Sequence, residues 1–188
     1  MSWFKTLSPI VIALCCTIFA APKANAGSVS DFISGPGTAI YLGTGVTLPL
    51  LTDGKSGGQH ALRTLDSLVT SGLICEGLKQ VIHVKRPDNN GNDSFPSCHA
   101  TAAFAIAAMQ SHYHPRYALL WYAGASVIAY SRVDLNRHRW TDVLAGAGIG
   151  YLTGRLELKQ KHGLILFPII SGDGNGGRIV GLQVMRSF

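Results

Sequence analysis

Charged residues are scarce in this 188-residue sequence, in which Asp, Glu, Lys and Arg together make up only 14%. No tract of lysine and arginine is interleaved with aromatic residues, which argues against nucleic-acid binding. Beyond residue 26 no apolar run clearly reaches the ~20 residues that a membrane span needs. The longest run, 117–130, is better interpreted as the central helix of a bundle. A membrane helix remains the alternative there, because 47% of the residues are hydrophobic.

The N-terminus has the pattern of an export signal. Lys5 precedes an apolar stretch over residues 7–21, and Ala24-Asn25-Ala26 supplies small residues at a cleavage site. We therefore predict a signal peptide over residues 1–26, with an uncleaved N-terminal anchor as the alternative. Residues 27–188 are long enough for one domain and too short for two, so we predict a single domain there.

Cleavage would leave a mildly basic protein with few cysteines. Removing residues 1–26 takes away Lys5 and Lys23 and no acidic residue, so the formal charge falls from +6 to +4. This weakly favours anionic substrates or anionic lipid surfaces. Cys75 and Cys98 would be the two remaining cysteines, and an oxidising compartment permits them to pair.

Apolar periodicity predicts an all-α fold, a compact helical bundle. The expected helices cover about 60–84, 98–113, 116–131 and 138–158, and residues 27–58 are expected to form helical pieces interrupted by glycine and proline. The proline, glycine, asparagine and aspartate of residues 86–97 predict a loop. Two apolar stretches around a glycine-rich turn predict a terminal β-hairpin at about 164–188.

The stretch from Ser131 to Asp142 gathers charged residues directly after an apolar run. A solvated helix end would explain such a cluster on its own. On a helix beginning near His138, however, Asp142 lies one turn later on the same face, where its carboxylate would hold one imidazole nitrogen. The other nitrogen is then available as a nucleophile. Arg132, at the end of the preceding helix, would offer its guanidinium fork to an oxyanion.

A second cluster, Ser97-Cys98-His99, lies where a new helix is predicted to begin, with Ser97 as its N-cap. Helix N-termini bind anions through their free N–H groups, and His99 adds a second imidazole. Three cations are expected around one oxyanion, and they are Lys79, Arg86 and Arg132. Phosphoryl transfer requires this kind of positive surrounding.

Together these motifs resemble the type 2 phosphatidic acid phosphatase (PAP2) and vanadium haloperoxidase superfamily. The matching residues are Lys79 with Arg86-Pro87, then Pro96-Ser97-Cys98-His99, then Ser131-Arg132, His138 and Asp142. They occur in the family's order and with fitting spacings over residues 79–142, about a third of the chain.

The resemblance implies a helical bundle with a metal-independent phosphatase site. His138 would be the nucleophile that forms a phosphohistidine, Asp142 would orient it, and His99 would protonate the leaving oxygen. The implied phosphate-binding residues are Lys79, Arg86, Ser97 and Arg132. No cofactor is implied, and vanadate is expected to inhibit as a phosphate mimic.

The sequence departs from the family at Cys98, where glycine is usual. A side chain there would crowd the oxyanion pocket or shift the turn before His99, which lowers the rate with the site intact. A disulfide to Cys75 is the second hypothesis, and it would lock the helix of Lys79 to the helix of His99. Two buried thiols are the alternative to the disulfide.

The favoured function is hydrolysis of phosphate monoesters or pyrophosphates, with lipid substrates slightly preferred. A soluble non-specific acid phosphatase and a vanadate-dependent haloperoxidase are the alternative enzymes. A non-catalytic periplasmic binding or assembly protein, disabled at Cys98, is the alternative from another class. The export signal predicts a location outside the cytoplasm, in the periplasm, as a soluble or peripherally membrane-associated protein. No nucleic-acid partner is expected.

Overall fold

The structure, a computed structural model, describes residues 26–160, Gly163 and the segments 166–172 and 178–184. Its helices are α1 Ala26–Phe32, α2 Thr38–Thr52, α3 Gly57–Val81, α4 Cys98–Tyr113, α5 Ala118–Asp134 and α6 Trp140–Lys159. The predicted all-α bundle is confirmed. The predicted signal peptide lies outside the described residues apart from Ala26, so export stays a prediction.

Helix α4 lies at the centre and contacts α2, α3, α5 and α6. It is rich in alanine, and most of those alanines are fully buried, so neighbouring helices approach its backbone closely. On α6, a Cβ added to Gly146 would overlap the main-chain oxygen of Ser97, the residue before α4. A Cβ added to Gly150 would overlap the main-chain oxygen of Thr101, in the first turn of α4. The glycines that weaken α6 as a solitary helix therefore permit its contact with α4, whereas Gly148 faces open space.

The N-terminal region is more continuous than its glycines and prolines predict. Residues 26–52 are helical throughout, with a π-helical stretch, Ile33–Gly37, between α1 and α2. Pro36 lies inside that stretch, and it has no N–H to donate to the preceding turn, which the wider turn accommodates. Gly45 lies against Ile106 of α4, so burial against the bundle outweighs its low helix propensity.

Helix α3 begins and ends three residues before the predicted bounds of 60 and 84. At its start, Asp53 joins three helices, because its carboxylate lies 2.6 Å from His60 Nδ1 and 2.8 Å from His114 Nε2. At its end, Ile82 is extended and Val84 forms an isolated bridge with Asp93. The α3–α4 loop therefore takes up the last residues of the predicted helix.

The predicted hairpin is present as strands β1 Leu166–Gly172 and β2 Arg178–Val184, paired antiparallel from Leu166 opposite Val184 to Gly172 opposite Arg178. Its turn lies outside the described residues. Among the helices that the structure describes, none combines the length and the hydropathy needed to cross a membrane.

Candidate active site

The three sequence motifs meet at one end of the bundle. The end of α3 supplies Lys79, the α3–α4 loop supplies Arg86, and the end of α5 supplies Arg132. All three cations lie close enough to lower the pKa values of both His99 and His138. The predicted cationic surroundings of two imidazoles are therefore present in the folded chain.

His138 lies just before α6, and only 3% of its surface is exposed. Its Nδ1 lies 2.6 Å from the main-chain oxygen of Ser94 and donates to it, which assigns the proton to Nδ1 and leaves Nε2 with a lone pair. Burial, followed by the positive charges of Arg132, Lys79 and Arg86, lowers the pKa of His138 to about 4. At neutral pH the ring is neutral and Nε2 is able to act as a nucleophile.

The predicted direct bond between Asp142 and His138 does not form. Their closest atoms, Asp142 Oδ2 and His138 Nδ1, are 3.9 Å apart. Oδ2 instead accepts from the hydroxyl of Ser94 at 2.6 Å and from the main-chain N–H of Arg139 at 2.9 Å. The expectation assumed a helix beginning at His138, but α6 begins at Trp140, so His138 does not share a helical face with Asp142.

His99 lies in the first turn of α4 and is half-buried. Burial, followed by the charge of Arg132, lowers its pKa to about 4, while a hydrogen bond to the main chain of Ser34 acts in the opposite direction. Ser34 lies in the π-helical stretch, and its hydroxyl accepts from Arg132 Nη1. Sequence reasoning missed Ser34, because no motif connects it with residues about a hundred positions away.

Lys79 and Arg86 are positioned by the same loop residue, Asp93. The Lys79 ammonium donates to the Asp93 carbonyl oxygen. Burial lowers the pKa of Lys79 despite the neighbouring acids. Arg86 forms a bidentate pair with the Asp93 carboxylate through two bonds of 2.7 Å, and this pairing raises the pKa of Arg86. Asp93 thus fixes two predicted phosphate-binding cations, although no sequence motif singled it out.

Ser97 and Arg132 carry buried polar atoms with no hydrogen-bond partner among the described residues, namely Ser97 Oγ and Arg132 Nε. The expected capping role of Ser97 is wrong in one respect, since its side chain makes no capping bond at the start of α4. Buried groups of this kind are rare in folded proteins, because leaving one unpaired costs about 1–3 kcal/mol. The hydroxyl of Ser97 and the Nε–H of Arg132 are both able to donate to an oxyanion.

Cys75 and Cys98 are joined by a disulfide bond, with their Cα atoms 5.7 Å apart. The bond connects α3, one turn before Lys79, with the first residue of α4. It directs the Cys98 side chain towards α3. Within the described residues no group of three or more His, Cys, Asp or Glu side chains is arranged to hold a metal ion.

The fold and the site define a class: a helical bundle that brings three cations close to two imidazoles at one end. The model of the PAP2 superfamily matches residues 60–165. This chain belongs to the PAP2 superfamily, as the motifs predicted.

Two curated relatives of this chain carry the same name. A lipid A 1-phosphatase of Porphyromonas gingivalis is 40% identical over 75 residues, which cover 38% of this chain and 17% of that protein. A lipid A 1-phosphatase of Rhizobium etli is 27% identical over 177 residues, covering 74% of this chain and 75% of that protein. The chain thus spans less than a fifth of the first relative and three quarters of the second.

Among solved structures, the crystal structure of Aquifex aeolicus LpxE superposes with a TM-score of 0.56. The match covers 80% of this chain and 94% of that protein at 22% sequence identity. At this identity the likeness establishes the fold alone.

Proposed function

We propose that this protein is a phosphatase that removes phosphate from lipid phosphate monoesters or pyrophosphates through a phosphohistidine intermediate. The observation that carries the proposal is the state of His138. Its Nδ1 is bonded to the Ser94 carbonyl oxygen, and its Nε2 is therefore the unprotonated nitrogen, beside three cations.

In the first step, Nε2 of His138 attacks phosphorus while the bond from phosphorus to the leaving oxygen breaks. His99 donates its proton to that oxygen. Lys79, Arg86 and Arg132 stabilise the negative charge on the transferring group, and the Ser97 hydroxyl donates to one of its oxygens. The unpaired Ser97 Oγ and Arg132 Nε support this assignment, because a bound phosphate would satisfy both.

In the second step, water attacks the phosphohistidine and the bond from phosphorus to Nε2 breaks. The neutral His99 accepts the proton of that water, so the enzyme regains its starting state and inorganic phosphate leaves. Metal independence is part of the proposal, because the three cations provide the positive charge that Mg²⁺ provides in many phosphoryl-transfer enzymes. Vanadate is expected to inhibit by occupying the phosphate position.

Lipid substrates are favoured for two reasons. The relatives that share the matched segment are named lipid A 1-phosphatases. In addition, Tyr130, Trp140 and Leu144 are each more than half exposed, and Trp140 follows His138 by two residues. The Tyr130 and Trp140 rings lie 6.2 Å apart, which forms an apolar surface suited to the acyl region beside a lipid headgroup. Peripheral contact with a membrane outside the cytoplasm is therefore part of the proposal.

The test is phosphate release by the purified protein from two substrates, a water-soluble aryl phosphate and a detergent-dispersed lipid phosphate. Both are assayed with and without EDTA, and with His138→Ala as the control. We expect turnover of the lipid phosphate that resists EDTA and is abolished by His138→Ala. A strong preference for the aryl phosphate would favour a soluble acid phosphatase. Turnover of neither substrate, with vanadate still bound, would favour the non-catalytic alternative.

A further inference from the structure

Ser94 lies between the proposed nucleophile and the carboxylate predicted to orient it. It is fully buried in the α3–α4 loop. Its main-chain oxygen accepts from His138 Nδ1 at 2.6 Å, and its hydroxyl donates to Asp142 Oδ2 at 2.6 Å. Since Asp142 and His138 are 3.9 Å apart, the hydrogen-bonded path between them runs through this serine.

The backbone of Ser94 is held by Val84. Its N–H donates to the Val84 carbonyl oxygen at 2.9 Å, and the preceding residue, Asp93, forms an isolated bridge with Val84. The Asp142 carboxylate is also fixed, since it accepts from the Arg139 N–H at 2.9 Å. The hydroxyl of Ser94 is therefore a buried side-chain bond that ties the loop to the start of α6, in addition to the bond from Arg139 Nη1 to the Lys85 carbonyl oxygen.

We infer that Ser94 is a positioning residue for the proposed nucleophile, through which Asp142 acts on His138. The Asp142 carboxylate fixes the Ser94 hydroxyl, and the hydroxyl fixes the α3–α4 loop. The Ser94 carbonyl oxygen then fixes the orientation of the His138 ring and keeps its proton on Nδ1. This inference rests on the proposed function, because it deepens the account of the same site.

The arrangement matters most when the bond between Nε2 and phosphorus forms. The imidazole ring then becomes positively charged, and its Nδ1–H bond to the Ser94 carbonyl oxygen strengthens. The negative charge of Asp142, 3.9 Å from Nδ1, stabilises the same charge. Without the hydroxyl, only the backbone bond to Val84 still holds the carbonyl oxygen against Nδ1, so the ring is less firmly fixed. A ring that carries its proton on Nε2 has no lone pair for the attack.

Ser94→Ala tests the inference, with Ser71→Ala as the matched control. Ser71 is equally buried, and its hydroxyl bonds to the main chain of Leu68 in the middle of α3. We expect Ser94→Ala to lower kcat by about a hundredfold with KM changed by less than about threefold, as befits a misplaced nucleophile. Ser71→Ala should leave both constants near the wild-type values.

Nitrogen-15 NMR of the histidine rings gives a readout that does not need turnover. The His138 signals are assigned by their loss in His138→Asn. We expect the Nδ1–H tautomer in the wild type and a mixture of tautomers in Ser94→Ala. An unchanged tautomer together with unchanged kcat would overturn the inference.

The experiments distinguish a failure of the proposed function from a failure of the inference about Ser94. If the wild type releases no phosphate, the proposed function fails, and the tautomer shift in Ser94→Ala still decides the role of Ser94. If Ser94→Ala does not fold, the wild-type spectrum decides, because the Ser94 carbonyl oxygen accepts only from Nδ1–H. An Nε2–H tautomer of His138 in the wild type would then overturn the inference.

Discussion

The protonation of His99 controls how the proposed reaction depends on pH. His99 must carry a proton to act as the acid, yet burial and Arg132 lower its pKa to about 4. Above that value its protonated fraction falls about tenfold per pH unit. The dianion of a phosphate monoester rises by about the same factor up to its second pKa, near ~6. We therefore expect kcat/KM to be nearly flat between about pH 4 and pH 6, and to fall about tenfold per unit above that.

Initial rates with an aryl phosphate across this range measure the profile. The residual activity of His99→Asn should lack the decline above pH 6, because that decline comes from the loss of the His99 proton. A wild-type maximum above pH 7 would contradict the assignment of His99 as a general acid with a lowered pKa.

Removing the Ser97 hydroxyl is expected to increase stability and to weaken anion binding. Its hydroxyl is buried without a partner among the described residues, so folding removes it from water without compensation. Ser97→Ala is expected to raise the free energy of unfolding by up to about 1 kcal/mol. The same change should reduce the increase in Tm that phosphate or vanadate produces, because one donor to the anion is lost.

Thermal melts with and without vanadate check both signs, and Ser131→Ala is the matched control. Ser131 is equally buried, but its hydroxyl donates to the Ile128 carbonyl oxygen at 2.7 Å, so its removal should lower Tm. A Ser97→Ala variant that melts below the wild type and keeps the full vanadate shift would remove Ser97 from the proposed site.

The motifs alone predicted which charged residues and imidazoles meet, but not how they are held. Lys79, Arg86, Arg132, His99 and His138 come together as expected. The positioning contacts of Ser94, Ser34 and Asp93 were missed. All three act at least in part through main-chain groups, and such contacts depend on backbone conformation rather than on residue type. A single sequence contains no periodic signal for them.

At the level of the helices, the disulfide between α3 and α4 is expected to stabilise the fold without being needed for turnover. It closes a loop between positions 23 residues apart, which in the chain-entropy model contributes about 3 kcal/mol. The double variant Cys75→Ala, Cys98→Gly restores the usual glycine of the family before His99. We expect kcat within about threefold of the wild type and a free energy of unfolding lower by about 3 kcal/mol.

Denaturant unfolding and initial rates of the two proteins provide the comparison. A thiol count on the unreduced, denatured protein checks the premise, and Cys75 and Cys98 should contribute no free thiol. Two reactive thiols from these positions would leave the pairing unsupported. A large rise in kcat for the double variant would show instead that Cys98 impairs the site.

Helix positions were predicted better than helix ends. The alanine-rich segment 98–113 matched α4 at both ends, because Pro96 and Ser97 bound it on one side and Pro115 on the other. The start of α6 was placed two residues too early, and that small error produced the wrong contact between Asp142 and His138. Local caps and turns set helix ends, whereas the apolar pattern sets only the extent of the buried face.

Across the whole molecule, the sequence predicted a helical bundle but not which helix lies at its centre. The run 117–130 was expected to be the central helix, yet α4 holds that place, and α5 exposes Leu119, Leu120 and Val127. Alanine and glycine explain the correction, since the helix with the smallest side chains is the one that the others approach most closely. Hydrophobicity alone overestimated the burial of α5.

The exposed apolar side chains near the site lead to a prediction about membranes. Trp140 and Leu144 are 56% and 67% exposed on α6. Arg139, the residue before Trp140, donates to the Lys85 carbonyl oxygen at 2.8 Å, so a cation is held next to Trp140 in the chain. Aromatic and aliphatic groups next to cations are suited to an anionic membrane surface. We expect the protein to bind vesicles that contain phosphatidylglycerol, with Trp140 and Leu144 facing the lipid.

The double variant Trp140→Ala, Leu144→Ala is compared with Leu51→Ala, which removes an 86% exposed side chain at the opposite end of the bundle. The first should raise KM for a lipid phosphate in vesicles by about tenfold or more, since it removes two apolar groups from the contact, and leave KM for an aryl phosphate unchanged. Leu51→Ala should change neither constant. Equal losses on both substrates would mean that Trp140 and Leu144 support the site itself, and vesicle binding that survives the double variant would place the membrane contact on another face.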